Sequence, residues 1–260
     1  MRLPGFRVLG GYLGRRALLW ISPLAVLLLW VAVCRAGVFP EQILVSPGVV
    51  LDTFVELWAS GELPEHIGLS LYRLAWGFAL GVFLGVAFGV SMALSPLVEK
   101  LFSPFFNAVR QVPSIAFIPV FILMFGVEET FKIVIVTKAA FFPVAVAAVD
   151  AVKGIPQRLV EVAKVYRLPL LPLVRRLILP STVPPIFTGM RLSLTRAWIV
   201  LVAAELLASD SGIGQMMEMG RQMFRIDIVM VGVALTGVIG FTLDRGCQLM
   251  EWRLIRWRTR

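Results

Sequence analysis

The sequence predicts an all-α polytopic membrane protein with about six transmembrane helices, and three observations lead there. Apolar residues make up 58% of the chain and charged residues only 16%, against roughly 45–50% and 25% in soluble domains. Mean hydropathy is +0.87, so the chain has too little polar surface to cover itself and lipid must solvate much of its exterior. The apolar residues also fall into long runs, and a helix of roughly 20 residues crosses a hydrocarbon core of about 30 Å.

The first run, Ala17–Cys34, follows Arg2, Arg7, Arg15 and Arg16. That outline is shared with signal peptides, and Val31-Ala32-Val33-Cys34 touches a lipoprotein cleavage pattern. Val33 is bulky where a small residue is needed, so we read an uncleaved first span. A long connection follows, in which Pro47–Leu57 is an amphipathic surface helix with Val49, Val50, Phe54 and Leu57 apolar. The second span, Leu69–Leu94, carries Gly77, Gly81, Gly85 and Gly89 at four-residue steps. These share one stripe, where a neighbouring helix can approach closely.

Val112–Phe125 is the third run, but at helical rise it reaches only about 21 Å. Pro113 and Pro119 interrupt it, so it either begins nearer Ser103 or crosses only partly. Phe131–Val149, Val183–Ala208 and Ile226–Leu243 complete the six. Residues 1–68 thus hold an N-terminal segment, the first span and its outer loop. Residues 69–250 hold a core of five spans and a loop at 154–180, and residues 251–260 form a basic tail.

Lys and Arg concentrate in cytoplasmic loops of membrane proteins. With the N-terminus inside, the inner segments hold Arg2, Arg7, Arg15, Arg16, Lys100, Arg110, Lys153, Arg158, Lys164, Arg167, Arg175, Arg176, Arg245, Arg253, Arg256, Arg258 and Arg260. The outer segments hold only Arg35, Lys132, Arg221 and Arg225, while most acids lie outside. Both termini are therefore expected in the cytoplasm. The same distribution explains the net charge of +9 without nucleic acid as a partner.

Cys34, Cys247 and the single histidine, His66, are too few for a ligand cluster, so no metal is expected. No catalytic constellation falls within the spans, and no GxxxxGK[ST] phosphate loop is present. An enzyme is not expected, and any ATP and magnesium must be bound by another chain.

The connection between spans four and five, Gly154 to Pro180, is too long and patterned for a simple link. Leu159, Val162, Ala163 and Tyr166 share one helical face. Leu168-Pro169 ends that helix, because the residue before proline is steered out of the α region. A second short helix is expected to run to Pro180. Taken alone, these residues leave open a partner-docking surface and a basic helix lying on anionic lipid.

Glu161-Val162-Ala163, then Arg167, then Leu177-Ile178-Leu179-Pro180 resembles the EAA motif of ABC importer permeases: E-A-A, three residues, G, nine residues, I-x-L-P. Val162, Leu177 and Arg167 depart from it, the last replacing a glycine that can turn left-handed at a helix end. Ser70–Ser95, Val109–Ile133 and Gly189–Gly214 are similar to the sulfonate/taurine/nitrate branch of these permeases. The resemblance implies a type I ABC importer permease (MetI-like) fold in the bacterial inner membrane. It implies two permease copies, expected as a homodimer, on two ATPase subunits, with a periplasmic binding protein delivering a small anion. Glu161, Val162, Ala163, Arg167, Leu177, Leu179 and Pro180 would then couple to the ATPase. A secondary transporter or channel is the alternative; neither needs a docking loop, and no inverted repeat is visible.

Within the spans, Lys138 and Arg196 lie at similar depth, roughly 10–18 Å from one end by helical rise. A charge at mid-membrane costs about 2.5–3.5 kcal/mol on insertion scales, so both should face the bundle interior and offer a positive zone to an anion. Trp198 and Glu205 complete the expected substrate path, with Phe117, Phe121 and Met124 beside it or in plain packing. The structural alternative pairs Glu205 with Lys138 or Arg73.

Overall fold

A computed structural model describes residues 21, 23–37, 40 and 44–254, apart from the side chains of Lys164, Leu170 and Leu254. The start of the Ala17–Cys34 run and the tail beyond residue 254 lie outside these. Within them that run is a short apolar helix, α1 (Pro23–Arg35). Ser46 caps the next helix, α2 (Pro47–Ala59), its hydroxyl accepting from the Val49 amide with Pro47 at the first helical position. α2 buries Thr53 and Leu57 against the last helix.

α3 (Glu62–Leu94) and α6 (Glu129–Lys153) form the centre. The glycine stripe explains their closeness. A Cβ at Gly77 would stand 2.6 Å from Val136 Cβ, at Gly81 2.7 Å from Ala140 Cβ, and at Gly85 2.8 Å from the Phe141 carbonyl. Gly89 meets the Ala145 backbone just as closely. Tight packing is therefore what the stripe does.

These pairings also fix direction. Successive glycines of α3 meet successively later residues of α6, so the two helices run parallel. The chain between them must return along the length of the bundle. It does so as α4 (Pro96–Gln111) and α5 (Ile118–Phe125), joined through a 3₁₀ turn (Ser114–Phe117) and bent by 94°. The cause is local: Val112 precedes Pro113 and is extended at φ −75°, ψ 121°. The expected third span is thus the second half of a broken crossing that starts at Pro96, earlier than Ser103.

α9 (Leu179–Leu207) packs antiparallel on α6, and α11 (Ile226–Leu254) antiparallel on α9; α10 (Ile213–Gln222) caps one end. Among the described residues, Glu62–Leu94, Glu129–Lys153, Leu171–Leu207 and Ile226–Arg253 are long and apolar enough to cross a membrane, and the bent pair makes a fifth crossing. The expected number was six; of the sixth, only α1 is described. Ile135, Val136, Ala140, Ala197, Trp198 and Leu201 form the buried core between α3, α6 and α9.

Candidate functional site

One end of the bundle carries residues 154–180. α7 (Gln157–Val165) starts almost directly after α6 and buries only Ala163 of its apolar face. Val162 is 52% exposed and Tyr166 75%. Glu161 is also exposed. Arg167 then adopts the left-handed conformation, φ 47°, and the Leu168 amide donates to the Ala163 carbonyl at 3.0 Å. This is a Schellman-type helix end. Sequence reasoning assigned the bend to Leu168-Pro169 in place of the missing glycine. Instead Arg167 takes the glycine's conformation, at a cost of roughly 1–2 kcal/mol for a side chain in that region.

The second helix does not stop at Pro180. α8 (Leu170–Leu173) passes into a π-turn, Val174–Ile178, and on into α9. The Leu179 amide donates to the Val174 carbonyl, five residues back. Pro180 has no amide to offer a four-residue bond, which suits it to a wider turn. Leu171–Leu207 is therefore one continuous helical rod of 37 residues. Leu177, Leu179 and Pro180 lie within it, with Leu171 63% and Leu179 46% exposed.

The opposite end holds a buried ionic cluster. Arg73, 0% exposed, donates to Glu129 through Nε and Nη2 at 2.6 Å each and to Glu205 Oε1 at 2.8 Å. It also donates to the Ser211 carbonyl at 2.7 Å and Ser211 Oγ at 2.6 Å. Glu205 accepts further bonds from Ser70 Oγ and the Gly214 amide. Arg73, not Lys138, is thus the partner of Glu205, and the cluster ties α3, α6 and α9 to the start of α10. Glu205 is spent on this network. Trp198 is 3% exposed, and its Nε1 donates to the Thr236 carbonyl at 3.1 Å. Neither residue faces a passage here.

Lys138 and Arg196 do come together. An open cavity of about 280 Å³ is lined by both, with Ser114 and Ile199. A larger one, about 530 Å³, shares Arg110, Phe142, Pro143 and Arg196 with it and extends to Asp150 and Pro185 near the other end. The two are adjoining lobes of one open groove. Lys138 Nζ reaches Ser114 Oγ at 3.4 Å and sits 4.0 Å from the centre of the Phe117 ring. Phe117 packs tilted against Phe121, ring centres 5.8 Å apart, whereas Met124 is 66% exposed.

Arg110 was the residue that sequence reasoning misplaced. It was assigned to an inner loop, because the third span was started after it. The broken α4–α5 crossing lifts it beside Phe142 and Pro143, about 16 Å from the Lys153 end of α6 by helical rise. The available signal was Pro96, which with Ser95 as cap marks a helix start well before Arg110.

Residues 77–256 match the family described as binding-protein-dependent transport system inner membrane component. A putative aliphatic sulfonates transport permease protein of Bacillus subtilis (strain 168) is 36% identical, over 94% of this chain and 90% of its own. Its counterpart from Escherichia coli (strain K12) is 37% identical, over 92% and 90%. The taurine transport system permease protein of the same organism is 32% identical, over 94% and 91%. Among solved structures, an inward-facing MetNI methionine ABC transporter aligns with TM-score 0.55 at 19% identity, covering 70% of this chain and 92% of that one.

Proposed function

This chain belongs to the binding-protein-dependent transport system inner membrane component family, and from that premise we propose that it carries small organic sulfonates, of the aliphatic sulfonate or taurine kind, through the bacterial inner membrane. It is the permease subunit of an ABC importer with a MetI-like all-α fold, a transport component rather than an enzyme.

In this reading two copies form a homodimer on two ATPase subunits, which hold ATP and magnesium, and a periplasmic binding protein delivers the solute. The end bearing residues 154–180 is cytoplasmic, as are both termini. The observation that carries the coupling role is the exposed apolar surface of Val162 and Tyr166, joined through the Arg167 bend to Leu171, where a rod begins that continues unbroken to Leu207. Closure of the ATPase dimer presses on this surface. From Leu177 to Arg196 the rod spans about 28 Å by helical rise, so a tilt at its base moves a cation of the passage. Pro143 in α6 and Pro184 and Pro185 in α9 remove backbone hydrogen bonds beside that passage and lower the resistance to bending.

Copurification tests the reading. An ATPase subunit should stay bound to the wild-type chain in mild detergent and be lost from Val162→Asp/Tyr166→Asp. Uptake that ran on an ion gradient with no ATP would instead establish a secondary transporter.

A further inference from the structure

We infer that Arg110, Lys138 and Arg196 form one anion-binding site inside the passage, built for a sulfonate head with a short organic tail. The inference rests on the permease reading and deepens it by naming the residues that take the solute within the membrane.

The argument begins with pairing. Other cations of the long helices have carboxylate partners: Arg73 has Glu129 and Glu205, Lys132 has Glu129, and Arg191 has Asp244. Arg110 and Arg196, by contrast, are exposed along the open groove, and Lys138 is half-buried in its wall. Among the described residues, Arg110 and Arg196 make no hydrogen bond or ion pair, and Lys138 has a hydroxyl and an aromatic face but no carboxylate. Unbalanced charge at mid-membrane is expensive and is kept where a pathway needs it. These three cations line the same two-lobed cavity.

Their geometry suits an oxyanion. The two guanidinium groups offer planar forks that match the spacing of head-group oxygens. The lysine adds a point charge, held by Ser114 and Phe117. Around them the walls are Phe142, Pro143, Val146, Leu192 and Ile199, which favour an apolar tail over a fully hydrated inorganic ion. Among the described residues, Asp150 is the only carboxylate lining the larger lobe. It stands at the end toward the coupling segment, where like-charge repulsion hinders an anion from resting and favours release.

The test uses the whole importer in proteoliposomes and the permease alone in nanodiscs. Arg110→Gln, Lys138→Gln and Arg196→Gln should each lower ATP-driven taurine uptake about tenfold or more at saturating binding protein, the value of a charge-assisted hydrogen bond. Arg110→Lys and Arg196→Lys should recover only part of it, because the charge returns but the planar fork does not; a purely packing role would not separate Lys from Gln. In nanodiscs, ethanesulfonate should raise the melting temperature of the wild type more than inorganic sulfate does, ethylammonium should not raise it, and the Gln variants should lose the response. Uptake unchanged in all three Gln variants, or equal shifts from ethanesulfonate and ethylammonium, would overturn the site. Absence of ATP-driven uptake by the wild type would sink the permease reading instead, while the nanodisc measurement still decides the site.

Discussion

Removing Arg73 alone should destabilise the protein more than replacing Arg73 and Glu205 together. In the wild type the Arg73 guanidinium and the Glu205 carboxylate are both 0% exposed, 2.8 Å apart. Arg73→Met leaves Glu205 charged, buried and without its cation, a situation that costs about 3–5 kcal/mol. Ser70 and the Gly214 amide still donate to Glu205, which argues for the lower half of that range. Glu129, 48% exposed at its side chain and bonded to Lys132, can turn to water and adds little. Adding Glu205→Gln removes the stranded charge and should restore about 2 kcal/mol, so the pair is strongly non-additive. Thermal unfolding of the four proteins in one detergent would show this as a drop of about 10 °C for Arg73→Met, partly reversed in the double variant. Strict additivity, or an Arg73→Met protein that melts with the wild type, would refute the buried cluster.

Gly68 and Gly81 lie on the same helix, yet a Cβ at Gly68 meets nothing within 4 Å while one at Gly81 strikes Ala140 Cβ and the Thr137 carbonyl at 2.7 Å. Gly68→Ala should therefore gain about 0.5–1 kcal/mol, and Gly81→Ala should lose about 1–3 kcal/mol because backbone cannot yield; equal melting temperatures would contradict the α3–α6 contact. Arg167→Gly should relieve about 1 kcal/mol of left-handed strain and Arg167→Val should add to it, read as slower and faster amide exchange across residues 157–168. Val162→Asp/Tyr166→Asp should keep the wild-type melting temperature, since both side chains are largely exposed, while abolishing ATP-driven uptake. A fall in stability without loss of uptake would show that the surface packs within the chain.

The spans were legible because hydropathy reports length and the glycine spacing reports a contact face. Gly77 to Gly89 announced a close helix, although only the structure showed that its neighbour is α6 and runs parallel. The two helices at 154–180 and the bend between them were legible by motif, but their continuity with α9 was not. A π-turn ahead of Pro180 depends on where the missing amide falls within a helix that tertiary packing keeps continuous. Periodicity in a short apolar stretch cannot show that continuity. Arg110 was lost for a related reason: hydropathy averages over α4, whose Glu99, Lys100 and Arg110 dilute the signal of Leu97, Leu101 and Phe105, all on an exposed face. Glu205 and Trp198 were counted with the path as members of the fifth span, and membership of a span carries no information on which way a side chain points around the helix.

Site-specific photocrosslinking from positions 162, 166 and 171 in the assembled importer bears most directly on how the bundle is driven. ATPase adducts at all three, with their yield changing between ATP-bound and nucleotide-free states, are the outcome the continuous rod predicts. Adducts to lipid alone, whatever the nucleotide, would contradict it.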